Sequence, residues 1–115
     1  MGECITMAKT DDEAKHFRLE IGARLWALRK FHRMSQRTFS ESINLRISVY
    51  SKWELGYTFP SEINVRDICN VYDIDFNYIY GGVYSGIKEN TATILHALIW
   101  KKIVTQRMAV KMAAE

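Results

Sequence analysis

From Ser35 to Gly56 the chain reads SQRTFSESINLRISVYSKWELG, with apolar residues at intervals that suit two short helical runs meeting at Asn44 rather than a strand. Ser35 can cap the first run, whose inward positions are Phe39 and Ile43, with the small Ser40 and Ser42 between them. The second run, about Ile47 to Leu55, turns Tyr50 and Trp53 inward, and Gly56 stops it by accepting a left-handed backbone. Helices this short can pack at a steep angle only if a small side chain sits where their axes cross, which Ser40 supplies. The bend itself needs a residue that tolerates left-handed angles; glycine is the usual solution and asparagine the next best. Asn44 therefore fixes a tight corner between two helices.

The flanking sequence supplies the rest of a helical domain. Thr10-Asp11-Asp12-Glu13 has the form of a capping box, and Ala14, Phe17, Ile21, Leu25 and Leu28 follow at spacings of three and four, which predicts a helix over Asp12 to Phe31. After the corner, Phe59-Pro60-Ser61 forces an extended turn and a new cap. Val65, Ile68, Cys69 and Tyr72 mark a fourth helix. Asp75 can cap a short fifth, FNYIY, closed by Gly81-Gly82, and Ser85 opens a longer last helix reaching towards Ala113. The expected fold is all-α. Residues 1–11 are expected to form a flexible tail, 12–82 a compact five-helix domain, and 83–115 a C-terminal helix.

Composition narrows the function. With 48% hydrophobic and 25% charged residues in 115, the chain has ordinary globular values and room for one core. The most apolar window, Ile94 to Trp100, contains His96 and runs into Lys101 and Lys102, well short of the roughly 20 apolar residues of a membrane span. Cys4 to Ala8 is too short an apolar run for a signal peptide, so the expected location is cytoplasmic. Cys4 and Cys69 belong to no metal-ligand or redox spacing, and the three histidines, His16, His32 and His96, are isolated. Glycine-rich phosphate loops, nucleophile elbows and H-E-x-x-H patterns are missing, which points away from an enzyme and from any metal or other cofactor.

Charge is asymmetric. Phe17 to Gly56 carries eight basic residues against three acidic ones, a net +5, whereas Tyr57 to Gly82 sets Arg66 against Glu62, Asp67, Asp73 and Asp75, a net −3. A total of +3 thus hides a basic half beside an acidic one, which suits a polyanionic partner on one face only. A solvated helix face would have the same charge.

Ile21 to Gly82 resembles the phage-repressor (Cro/repressor, XRE-like) helix-turn-helix domain. The resemblance is carried by an arginine before the second helix (Arg29), Ser35-Gln36 opening that helix, the aromatic-Glu-x-Gly ending of the third helix (Trp53, Glu54, Gly56), and Pro60 four residues after that glycine. It implies a structural ion pair between Arg29 and Glu54, tying the first helix to the end of the third. It also implies that the third helix reads a double-stranded DNA operator, as in a transcriptional repressor. Two positions depart from the family pattern. Arg46 stands where a capping Ser or Thr is usual, and Ile47 where a polar residue commonly reaches a base edge.

The resemblance assigns the site residue by residue. Gln36, at the start of the second helix, would grip a phosphate, unless it merely caps or solvates that helix. Ile47, Ser48 and Lys52 form the outward stripe of the third helix, with Ser51 beside it. Ile47 could meet thymine methyls, or mark with Val49 a protein-binding surface, and Lys52 could bind guanine or only phosphate. Arg37 and Arg46 are expected on phosphates, and Tyr57 and Thr58 near the backbone. In the last helix, Ile87, Thr91, Ile94, Leu95 and Leu98 make one apolar stripe, with Ile99, Ile103 and Val110 on a neighbouring face. That is more apolar surface than one side of a small domain can cover, so one face is expected on the domain's own core, and Ile94, Leu95, Leu98, Ile99 and Ile103 are expected to supply a two-fold homodimer presenting two reading helices. The alternative is a monomer whose long helix wraps its own core. The competing reading is a helix-turn-helix fold reused as a protein-interaction module.

Overall fold

The computed structural model describes residues 10–114, and the side chains of 10–105. Among them are six helices and no strand: α1 (Asp11–Phe31), α2 (Gln36–Ser42), α3 (Ile47–Glu54), α4 (Glu62–Tyr72), α5 (Phe76–Gly81) and α6 (Glu89–Ala114). The expected all-α architecture, five helices and a longer sixth, is present.

The local stops and starts follow side-chain chemistry. Thr10, Ser35, Ser61 and Asp75 each accept a hydrogen bond from the backbone amide three residues on, satisfying a donor that has no partner within the helix. Asn44 takes the left-handed conformation at φ 55°, and Gly56 and Gly82 do the same where α3 and α5 stop. Ser40 is buried at the α2–α3 crossing, where its hydroxyl donates to the Arg37 carbonyl.

Helix α1 is the central strut, packed against α3, α5 and α6. Its Ile21, Leu25 and Leu28 are fully buried with Phe39, Tyr50, Val65, Ile68, Tyr78, Ile79 and Leu95. Phe17, expected in the same stripe, stays 40% exposed near the helix start, where its ring packs on the exposed Phe59 ring. Gly22 is where α3 comes closest. A Cβ there would stand 2.5 Å from the Trp53 carbonyl oxygen and 2.6 Å from that of Glu54. A helix-interior glycine is unfavourable by about 0.5–1 kcal/mol relative to alanine, and here it lets the end of α3 sit directly on α1.

Two boundaries and one packing face differ from the sequence reading. Helix α1 begins at Asp11, so Thr10 and Asp11 belong to the fold rather than to a tail; residues 1–9 lie outside the described residues. Helix α6 begins at Glu89, not near Ser85. The intervening chain turns through a bond from the Ile87 amide to the Tyr84 carbonyl, burying Ile87, and Gly86 passes so close to the Asp75 carboxylate that a Cβ there would require the carboxylate to shift. The apolar stripes of α6 are also redistributed. Leu95 is fully buried in its own subunit, and Leu98 and Ile99 pack on the same core with Ala92. Ile103 is half-buried beside Leu19 and Ala23 of α1. These four residues are therefore partners of α1 and its neighbours, and of the five expected at a dimer contact only Ile94 is mainly exposed, at 47%. Val110 lies outside the described side chains.

Candidate nucleic-acid interface

The interface is built outward from a buried anchor. Tyr50 and Trp53 fix the inner face of α3 in the core, and the Phe39 ring lies 4.9 Å from that of Tyr50. At the end of the helix, Arg29 grips Glu54 with two bonds, Nε to Oε2 at 2.7 Å and Nη2 to Oε1 at 3.0 Å, and its Nη1 donates to the Met34 carbonyl at 2.9 Å. Both side chains are buried. Burial pushes the Glu54 carboxyl up, but hydrogen bonding to Arg29, Tyr50 and Gln36 outweighs it and holds the group below its ordinary value. The pair the resemblance implies is thus a two-toothed clamp from α1 onto α3, reaching the α1–α2 connection as well.

With its inner face fixed, α3 presents Ile47, Ser48 and Lys52 outward, and Ser51 is half-exposed beside them. Ile47 and Val49 are each 37% exposed. The N-cap position is Arg46, whose side chain makes no capping bond, so the first amides of α3 lack the side-chain acceptor that the starts of α2 and α5 have. Arg37 and Arg46 are exposed, and the ion pairs among the described residues include neither them nor Lys52. Beyond the helix, Tyr57 is 67% exposed and Thr58 is exposed too. Their connection is held by a bond from the Tyr57 amide to the Lys52 carbonyl and one from Arg18 Nε to the Gly56 carbonyl, at 2.9 and 3.0 Å.

Gln36 stands apart. Its amide nitrogen donates to Glu54 Oε1 at 3.1 Å, so the side chain expected to reach a phosphate is engaged within the fold. Sequence reading also passed over Gly22, the residue that sets the depth of α3. Its only trace in the sequence is a glycine one residue after a core position, a pattern that does not say which element approaches.

The described residues offer little for other chemistry. They contain no group of three or more His, Cys, Asp or Glu side chains placed to hold a metal ion. Burial, with a smaller contribution from Asp75, pushes the Cys69 thiol up to about 11, which keeps it protonated and a poor nucleophile at neutral pH. No described helix is long and apolar enough to cross a membrane.

Comparison with known proteins agrees with this geometry. A family model described as a helix-turn-helix domain matches residues 22–85, over half of the chain. No curated protein and no solved structure matches it. The matched segment runs from the glycine under α3 to the turn before α6, and so contains the whole clamp and both helices of the corner. The chain belongs to the helix-turn-helix family of the XRE/Cro-like type.

Proposed function

We propose that this protein is a sequence-specific, duplex-DNA-binding transcriptional regulator, acting in the cytoplasm as a repressor that occludes a promoter. The observation that carries the reading is the presentation of α3. Its inner face is locked by Tyr50, Trp53 and the Arg29–Glu54 clamp, while Ile47, Ser48 and Lys52 face out between the exposed cations Arg37 and Arg46. A rigid helix with hydrogen-bonding groups and one branched apolar side chain suits the floor of a major groove, where Ile47 meets a thymine methyl and Ser48, Ser51 and Lys52 meet base edges or nearby phosphate. Arg37, Arg46, Tyr57 and Thr58 supply backbone contacts that set register, and the first amides of α2 take the role that the Gln36 side chain gives up to Glu54. The assembly is a homodimer. It forms through the outer face of α6, where Ile94, Trp100 and Val104 are 47, 59 and 39% exposed, rather than through the inner residues that cover α1. The reading domain begins at Thr10 and runs to residue 82, and the outer face of α6 is the dimerisation element.

Selection of bound fragments from random duplex DNA tests the reading, with Ile47 as the discriminating position. A single enriched motif is expected. Ile47→Asp should abolish tight binding, and Ile47→Val should keep it with a changed preference at one base pair. An Ile47→Asp protein that returns the same motif at the same affinity would remove α3 from base reading. The exposed neighbours Ile47 and Val49 favour a second reading, an apolar contact for another protein, and that result would support it.

A further inference from the structure

A second cluster of cations lies where α6 crosses α1. The Trp26 indole is flanked by two ammonium groups, Lys102 Nζ at 4.5 Å from the ring centroid and Lys30 Nζ at 5.9 Å. Lys101, Leu98 and Thr105 complete the lining of the cleft between them. The ion pairs among the described residues include none of the three lysines. The nearby carboxylate, Glu54, is already engaged by other donors: Oε2 accepts from Arg29, and Oε1 accepts from both Arg29 and Gln36. Lys102 is half-buried as well. Desolvation lowers its affinity for a proton, Glu54 opposes this, and Arg29 and Lys30 add to the lowering. An indole face offsets such crowding by about 0.5–2 kcal/mol, but a positive cluster with no anion of its own is poised for one.

We propose that Lys30, Lys101 and Lys102, gathered around Trp26, form a second, sequence-independent seat for the backbone phosphates of the same duplex that α3 reads. The inference rests on the DNA-binding reading and extends it to a helix that lies wholly outside the matched helix-turn-helix segment. Continuity favours duplex over other polyanions. Lys30 follows Arg29 directly, Arg29 and Gln36 share the Glu54 carboxylate, and Gln36 and Arg37 open α2, where phosphate contact is expected. Chain adjacency at Lys30–Arg29 and the Glu54 carboxylate that Arg29 and Gln36 share therefore link the cluster to the start of α2. A duplex carries about one charge per 1.7 Å of axis, so cations spread over two helices can meet successive phosphates, whereas a small anion would fill only one position. In this arrangement the inner face of α6 completes the core, and Lys101 and Lys102 widen the grip on DNA without reading bases.

The test is a salt titration of the full chain on the selected duplex and on a scrambled duplex of equal length, with Lys30→Gln, Lys101→Gln, Lys102→Gln and the triple variant. Each phosphate left without its lysine should lower the slope of log affinity against log salt by about 0.9. The triple variant should lower it by roughly two to three such steps, weaken on both duplexes by the same factor, and select the same motif as the wild type. A triple variant with wild-type slope and affinity overturns the seat and leaves the α3 reading intact. If the wild type binds no duplex in a salt-dependent manner, both fall. If the lysines govern binding to polyglutamate of matched charge but not to duplex, the seat takes an acidic protein and the proposal is wrong. Should the triple variant fail to fold by circular dichroism, the exposed single variants Lys30→Gln and Lys101→Gln decide by the same slope criterion.

Discussion

The corner between α2 and α3 and the corner between α4 and α5 are the same piece of backbone. In the first, Asn44 is left-handed at φ 55° and the Leu45 amide bonds to the carbonyl of Ser40; in the second, Asp73 is left-handed at φ 56° and the Ile74 amide bonds to the carbonyl of Cys69. An apolar residue then dips inward and a new helix starts three residues after the left-handed one. The two pairs part at the next position. Asp75 caps α5 by accepting from the Tyr78 amide at 2.9 Å, while Arg46 gives α3 no cap at all. Corner geometry is therefore not what distinguishes a reading surface. The α4–α5 pair completes its own helix ends and carries mostly acidic side chains. The α2–α3 pair leaves amides uncapped among cations and depends on a clamp from α1.

Removing the clamp should break the comparison most strongly. Glu54→Ala leaves Arg29 buried without its carboxylate, a change that costs about 3–5 kcal/mol, and the α4–α5 pair has no counterpart to lose. Urea unfolding at neutral pH measures it. Because the Glu54 carboxyl is held below its ordinary value of 4.5, its contribution is present above that pH and fades as pH falls through the lower folded value. The gap between wild type and Glu54→Ala should accordingly narrow in acid.

Exchanging the cap chemistry should have a smaller effect, with opposite signs in the two pairs. Asp75→Ala should lose about 1 kcal/mol of stability and leave DNA affinity unchanged. Arg46→Asp should gain several tenths of a kcal/mol or more by capping α3, yet weaken duplex binding by adding a negative charge where a phosphate is expected. Thermal melts paired with binding titrations separate the two. Relaxing the shared corner should matter least. Asn44→Gly and Asp73→Gly each remove the side-chain penalty of a left-handed residue and should change stability by similar small amounts, within about 1 kcal/mol, and without moving the preferred DNA motif. Unequal responses would mean that one corner is held by more than its backbone.

How much could be read in the sequence depended on the range of the interaction. The caps at Thr10, Ser35, Ser61 and Asp75, the corner at Asn44, the stop at Gly56 and the inward Tyr50 and Trp53 were all legible, because each is decided within one helical turn. The Asp73 corner was not, since aspartate announces a left-handed turn less clearly than asparagine beside a polar run. The inner face of helix α6 was left open for a different reason. Ile94, Leu95, Leu98, Ile99 and Ile103 spread over too wide an arc for periodicity to choose an inner face, and the position of α1 made the choice. Gln36 looked like an outward phosphate ligand until the end of α3 brought Glu54 within 3.1 Å.

The sequence by itself determined that this chain is helical, where most of its helices begin and end, that it turns sharply at Asn44, and that one half is basic and the other acidic. These follow from hydrogen bonds, backbone preferences and charges that belong to neighbouring residues. Only the tertiary structure decided that Gly22 admits the end of α3, that Leu95 and Ile99 serve their own core, and that Lys102 of α6 and Lys30 of α1 flank Trp26. Each of those facts requires two helices distant in sequence to be placed side by side, and their packing distance and angle are set by the whole core rather than by either segment alone.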